Sequence, residues 1–217
     1  IKALQHITQY DIAIASWFQG IKTKEYPLRY GENPQQKAIA LVNDNSFQQL
    51  GGEKKLSYNN LLDLDAAINI AYHSSSKENI CTIVKHNIPC GGAIKKTQKD
   101  SYRKALAGDP LSAFGGIVAF NQKLTLETAK LIIKNFYEVI AAPGFEKDVV
   151  KLLQTKKNLR ILKVRKFKNP TEQRSIFAGA LIQNSNNKNS QIKTIYGTNK
   201  LKKDQLNFFV NILKYIT

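Results

Sequence analysis

Between residues 60 and 164, short β-branched or aliphatic runs alternate with helix-like stretches of roughly ten residues, and no other feature limits the fold as tightly. Residues 60–72 place Leu61, Leu64, Ala67, Ile68 and Ala71 at helical spacing, with Asp63, Asp65 and Asn69 between them, after an Asn that can cap. Residues 80–84 are a short β-branched run, 85–92 carry Pro89, Gly91 and Gly92 and read as a loop, and 101–107 are again helix-like. The pattern continues with strands over 116–120, 139–142 and 159–164 and helices over 126–136 and 147–154. Strands separated by helices of this length predict an α/β layered domain with a largely parallel sheet. In such sheets ligands collect at the carboxyl ends of strands, which directs attention to residues 85–92 and 109–116.

Composition narrows the class. A chain of 217 residues with 42% hydrophobic side chains buries a core of ordinary size, which excludes disorder. It has no run of eighteen or so apolar residues, and residues 1–20 do not follow the plan of an export signal. Two cysteines, Cys81 and Cys90, are too few for a disulfide scaffold and lack the second close pair of a structural zinc site, which places the protein in a reducing cytoplasm. The chain begins with Ile and contains no Met, so it reads as a piece of something longer.

The net charge of +17 is uneven: residues 1–145 hold 17 basic and 12 acidic side chains, residues 146–217 hold 16 and 4. Clusters such as Lys156-Lys157, Arg165-Lys166 and 200–203 fit a polyanion-binding module. They also fit a solvated surface, which is favoured because they carry little aromatic interleaving, no nucleic-acid-binding signature, and an Asn-rich neighbour at 183–191 that reads as an exposed loop. No nucleic-acid or membrane partner is expected.

Four segments combine reactive side chains with Gly or Pro: residues 28–34, 57–60, 85–91 and 109–116. Arg29-Tyr30 fits a guanidinium fork and phenol on a phosphate, or a surface Arg beside a packed Tyr. Lys85-His86 directly follows a strand of buried character. There a His near its working pKa can take a proton from a weak nucleophile while the adjacent ammonium stabilises an oxyanion. A satisfied loop His beside a solvated Lys fits the same pair. Zinc-deaminase chemistry needs H-x-E with P-C-x-x-C, whereas here His86 is followed by Asn-Ile and Pro89-Cys90 by Gly-Gly-Ala. A Cys90 nucleophile with His86 as base would need a third, orienting group, and Cys is more often simply buried. Gly115-Gly116 fits either a close approach of ligand to backbone or a tight turn, and Glu138 either a hydrogen bond to a substrate amine or a solvated sheet end.

Taken together and in order, these segments resemble the formyltransferase domain of the family that carries AICAR formyltransferase and IMP cyclohydrolase activities. The resemblance begins at residues 5–18, runs through Leu28-Arg29-Tyr30-Gly31-Glu32-Asn33-Pro34, residues 56–60, Val84-Lys85-His86, Pro89-Cys90-Gly91 and residues 109–121, covers 138–143, fades in the Lys- and Asn-rich region and returns at Leu213-Lys214-Tyr215. It implies a zinc-free, three-layer α/β/α subdomain of the cytidine-deaminase-like kind over 1–182, with 183–217 a loop and the start of a connection to a second subdomain. The implied reaction moves a formyl group from 10-formyltetrahydrofolate, the co-substrate, to the 5-amino group of AICAR, giving FAICAR and tetrahydrofolate in purine synthesis, with no metal needed.

Matched residue by residue, the resemblance makes His86 the catalytic base and Lys85 its oxyanion-stabilising neighbour. It gives Arg29 and Tyr30 the ribose-phosphate end of AICAR, and makes Gly115, Glu138 and Asn60 further AICAR contacts. It also implies a homodimer with sites completed across the interface. The loop departs from relatives, which commonly carry a second Asn before the Pro and Val after the first Gly. The family continues beyond a segment like 213–217 into a Ser-Asn motif that assists catalysis and then into folate contacts, and a cyclohydrolase domain precedes the part matched here. The chain is therefore expected to be a fragment without activity of its own.

Overall fold

The computed structural model describes residues 23–43, 46–73, 77–165, 171–177 and 179–184. Its elements in chain order are β1 (Thr23–Pro27), β2 (Ile39–Asn43), β3 (Phe47–Gly51), α1 (Tyr58–His73), β4 (Asn79–Lys85), β5 (Ile88–Lys95), α2 (Gln98–Leu106), β6 (Ile117–Phe120), α3 (Leu126–Ile132), β7 (Val139–Ala142), α4 (Val149–Leu153), β8 (Arg160–Val164), β9 (Thr171–Ile176) and β10 (Gly179–Asn184). Six strands form the central sheet in the order β3-β8-β7-β6-β4-β5, while β1 pairs with β2 and β9 with β10 as separate antiparallel hairpins. The segments at 5–18, 200–203 and 213–215 and residues 185–191 of the loop expected at 183–191 lie outside the described residues, whereas the first two residues of that loop, Gln183 and Asn184, instead end β10.

Successive side chains of a strand point to opposite faces, so a strand covered on both sides reads as a continuous apolar run. That is what β4, β6 and β7 show. On one face Ile80, Val84, Ile117, Ala119, Val139, Ala141 and Leu162 pack with Leu64, Ala67, Ile70 and Ala71 of α1. On the other face Cys81, Ile83, Val118, Phe120, Ile140, Ala142 and Ile161 meet Tyr102 and Ala105 of α2, Ala129 and Ile132 of α3, and Val149 and Leu153 of α4. The result is helix, sheet and helices in three layers. Buried Tyr102 and Tyr137 share a hydroxyl–hydroxyl hydrogen bond of 3.0 Å, and Asn135 donates to Tyr102 at 2.9 Å.

The sheet is mixed rather than largely parallel. β6, β7 and β8 run parallel, but β4 is antiparallel to both β5 and β6, and β3 is antiparallel to β8. The cause is a hairpin where the sequence suggested a loop. His86 and Asn87 adopt φ of 54° and 62°, the left-handed pair that a two-residue hairpin turn requires. The chain then returns as β5. Pro89 is tolerated there because β5 is an edge strand, and Gly91 is needed because a Cβ would lie 2.0 Å from the Ala105 carbonyl oxygen of α2. Its role is close helix–strand packing.

Helix α1 starts before the Asn60 boundary because Ser57 caps it. Asn60 donates its amide to Ser57 Oγ at 3.2 Å, and Ser57 donates its amide to Asn60 Oδ1 at 3.1 Å, a reciprocal box with Asn in place of the usual Glu or Gln. Helix α2 starts at Gln98, where the Thr97 side chain accepts from the Asp100 amide, and α3 stops at Ile132, short of residue 136. Strands β1, β2, β3, β9 and β10 have no counterpart among the sequence expectations. Among the described residues no helix is long and apolar enough to cross a membrane.

Candidate functional site

Strand register lines up the candidate residues at one end of the sheet. Val84 pairs with Ile117, Ile117 with Val139, and Val139 with Arg160. Lys85 therefore ends β4 beside Gly115-Gly116, which precede β6, and these lie beside Glu138, which precedes β7, and Arg160, which opens β8. Because β4 and β3 run opposite to β6, β7 and β8, this rim holds the carboxyl ends of the first two but the amino ends of the other three. The expectation that ligands collect at carboxyl ends therefore holds for β4 and for β3, whose last residue Gly51 pairs with Ile161, but not for β6, β7 and β8.

Lys85 donates from Nζ to the Phe114 carbonyl at 2.7 Å, and that nitrogen lies 4.0 Å from where a Cβ on Gly115 would sit. Gly115 has φ of 76° and donates its amide to Phe136 O at 2.9 Å, while Glu138 donates its own to Gly116 O at 3.0 Å. His86 is exposed at the tip of the hairpin turn. Its amide and that of Asn87 both donate to the Asp63 carboxylate from helix α1. Burial raises the Asp63 pKa above the usual carboxylate value, the two amides oppose that rise, and the Glu138 charge adds to it.

The same helix supplies Asn60, whose Nδ2 donates to Glu138 Oε2 at 2.8 Å. Arg160, buried with its side chain 3% exposed, donates from Nη1 to the same oxygen at 3.4 Å, while Glu138 itself is 42% exposed. The Arg160 Nε also donates to the carbonyls of Lys54 and Lys55, at 3.3 and 3.2 Å. Burial lowers the guanidinium pKa, the Glu138 carboxylate counteracts this, and the Arg29 charge lowers it further. Arg29 and Tyr30 are held nearby by backbone pairing with the segment that leads into α1: Arg29 donates its amide to Leu56 O at 2.8 Å and Tyr58 donates to Tyr30 O at 3.1 Å. The Arg29 guanidinium sits 5.1 Å from the centre of the Tyr30 ring.

Sequence reasoning named Lys85, His86, Arg29, Tyr30, Asn60, Gly115 and Glu138, and all of them lie on this rim or in the segments attached to it. It missed Arg160 and Asp63. Arg160 left one signal, a charge at the head of an otherwise buried strand; Asp63 left none, since it looks like any polar position of an amphipathic helix. The rim and the segments attached to it carry Lys85, His86 and Arg29 at or near the surface, with the half-exposed Glu138 carboxylate backed by the buried Arg160, an arrangement chemically suited to a ligand with an anionic end and N–H donors. Cys90 is not activated: burial pushes its thiol pKa up, and the Asp109 charge adds to that. Cys81 is fully buried, with its thiol pushed well above the ordinary value. Among the described residues no three His, Cys, Asp or Glu side chains come together as a metal-ligand group. Of the basic clusters, Lys156 and Lys157 are exposed on the turn after α4 and Arg165 just beyond β8.

Comparison with known proteins adds lineage to this geometry. The family model of the AICARFT/IMPCHase bienzyme matches residues 1–217. The chain is 40% identical to the bifunctional purine biosynthesis protein PurH of Prochlorococcus marinus (strain MIT 9515) over 99% of its length and 48% of the relative's. It is 41% identical to PurH of Persephonella marina over 84% of this chain and 40% of the relative, and 37% identical to PurH of Clostridium botulinum over 99% and 46%. The chain thus spans about half the length, or less, of these curated relatives. With all of its residues inside the family model, the chain belongs to the AICARFT/IMPCHase bienzyme family.

Proposed function

We propose that this chain carries part of the formyltransferase site of a bifunctional enzyme of purine biosynthesis, and that the full-length protein moves a formyl group from 10-formyltetrahydrofolate to the 5-amino group of AICAR. The observation that carries this reading is the juxtaposition, on one sheet rim, of Lys85, His86, Gly115 and Glu138 with Asn60 and the Arg29–Tyr30 pair. The amine of AICAR is a poor nucleophile because its lone pair is delocalised into an imidazole bearing a carboxamide. Attack on the formyl carbon needs proton removal and charge stabilisation at once.

His86, exposed on the hairpin tip, takes the amine proton as the new C–N bond forms. The formyl oxygen gains negative charge, and the Lys85 ammonium, which has donors beyond the one given to Phe114 O, stabilises it. Collapse of that intermediate breaks the bond to the folate nitrogen, which leaves with a proton as tetrahydrofolate. Arg29 and Tyr30 hold the ribose-phosphate end, and Glu138 and Asn60 receive and orient polar groups of the base. At Gly115 the lack of a side chain leaves room for the ligand beside Lys85. In this reading residues 1–182 form a first subdomain of cytidine-deaminase-like type and 183–217 lead toward a second, and the site is completed across a cytoplasmic homodimer. The other half of the enzyme closes the purine ring to IMP.

The test is His86→Ala in the full-length protein. Tetrahydrofolate formation is expected to fall by about a hundredfold or more, as for loss of a general base, with AICAR binding still measurable by calorimetry; near-normal turnover refutes the assigned role.

A further inference from the structure

We propose that Arg160 is a positioning residue for this site, fixing the Glu138 carboxylate so that one oxygen is occupied by protein donors and the other is left for the ligand. The inference rests on the reading of the rim as an AICAR site and adds to it a residue that neither the sequence pattern nor the family resemblance singled out. Glu138 Oε2 takes two hydrogen bonds, from Asn60 Nδ2 and Arg160 Nη1, whereas Oε1 takes none among the described residues. A carboxylate held in this way offers its remaining oxygen, in one orientation, to an N–H or O–H donor such as the carboxamide, the amine or a ribose hydroxyl.

The guanidinium also joins the two ends of the site. Its Nε is held by the carbonyls of Lys54 and Lys55, the residues just before Leu56, and Leu56 O accepts the Arg29 amide. Nη1 reaches both the backbone carbonyl and the side chain of Glu138. One planar cation therefore sets the spacing between the Arg29–Tyr30 segment and the carboxylate. A lysine ammonium is a point charge with no fixed fork and does not reproduce this. Stability alone is a poor explanation for the arrangement. A buried charge paired with a half-exposed one carries the desolvation penalty of the guanidinium, and apolar residues commonly replace buried ion pairs without loss. The placement is better explained by what the carboxylate does.

The experiment uses the full-length protein with Glu138→Gln, Arg160→Met, Arg160→Lys and the two double variants, reading the AICAR Kd by calorimetry and KM and kcat for formyl transfer. Arg160→Met is expected to weaken AICAR binding about tenfold or more while changing kcat much less. Glu138→Gln should do the same, and combining the two should be no worse than Glu138→Gln alone, the signature of action through a shared partner. Arg160→Lys should fall between wild type and Arg160→Met, and where the Met variant does not fold, the Lys variant completes the cycle. Wild-type binding with penalties that simply multiply, or with a Kd unmoved by Arg160 substitution, overturns the positioning role alone. Absence of AICAR heat in the wild-type protein overturns the site reading and this inference with it.

Discussion

Asp63→Ala tests whether helix α1 holds the His86–Asn87 turn in place. The Asp63 carboxylate accepts the amides of His86 and Asn87, both of which sit at positive φ. For residues other than Gly that conformation costs roughly 1–2 kcal/mol each, less for Asn. Something must offset the cost, and two hydrogen bonds to a charged acceptor do so. Such bonds contribute about 1.5–3 kcal/mol each when buried, and exposure of these two reduces the figure to about 1 kcal/mol each. Alanine restores some helix propensity, about 0.6 kcal/mol. The net loss is then roughly 1–1.5 kcal/mol, concentrated at the turn.

Native-state hydrogen exchange in the folded protein measures this directly. The His86 and Asn87 amides should exchange about tenfold faster in Asp63→Ala, whereas the amides of β7 should hardly change. Adding Asn87→Gly, which removes the left-handed penalty at that residue, should slow exchange again by a few-fold. On the proposed function, formyl transfer by the full-length variant should fall through kcat, because the Arg29–Tyr30 segment is untouched. Unchanged exchange at both amides, or a loss of protection spread evenly over the sheet, would show that the turn does not depend on Asp63.

Two further outcomes follow from packing and burial. Gly91→Ala forces a Cβ to within 2.0 Å of a backbone oxygen of α2 and should destabilise the fold by about 2–3 kcal/mol or prevent folding; Gly144→Ala meets only Lys123 Cγ at 3.6 Å and should be near neutral in the same thermal melt. Because burial raises the Cys90 thiol pKa, the thiolate needed for alkylation is scarce at neutral pH and increases only as pH passes the ordinary thiol value of 9.0. Iodoacetamide should therefore label Cys90 more slowly than an unfolded control at pH 7.5, and Cys90→Ala should keep formyl transfer; fast labelling together with lost activity would revive Cys90 as a nucleophile.

What could be read from the sequence depended on whether the signal was local. Strands β4, β6 and β7 are buried on both faces, so their apolar runs stood out within a few residues. Strand β5 was hidden because Pro89, Gly91 and Gly92 are the punctuation of a loop, and their edge-strand and helix-packing roles appear only once β4 and α2 are beside them. The hairpin turn lacked the usual Asn-Gly or Asp-Gly pair: His86-Asn87 takes the left-handed pair of conformations with help from an acceptor 23 and 24 residues away. Arg160 was overlooked for the same reason, since its carboxylate partner lies 22 residues off. Asn60 was legible as a helix-start residue, but its two side-chain hydrogen bonds, one with the Ser57 amide and one to Glu138, require the third dimension.

The mixed rim shows why the carboxyl-end rule covers only part of the site. In an all-parallel sheet each strand ends at the same rim, and the loops that follow the strands build the site. Here the hairpin reverses the chain at His86, and β5–α2–β6 then carries it back across β4, so the carboxyl end of β4 faces the amino ends of β6, β7 and β8. Residues that precede strands, Gly115 and Glu138, thereby join residues that end one. Beside Lys85 stands a glycine at φ 76°, where any side chain would be strained, and its Cβ would lie 4.0 Å from Nζ. A substitution at Gly115 would therefore act first on the backbone. Moving Lys85 by one residue along β4 would flip its side chain to the other face of the sheet. The geometry of the rim follows from the β4–β6, β6–β7 and β7–β8 registers, and the two-residue turn after β4 places His86 at its edge.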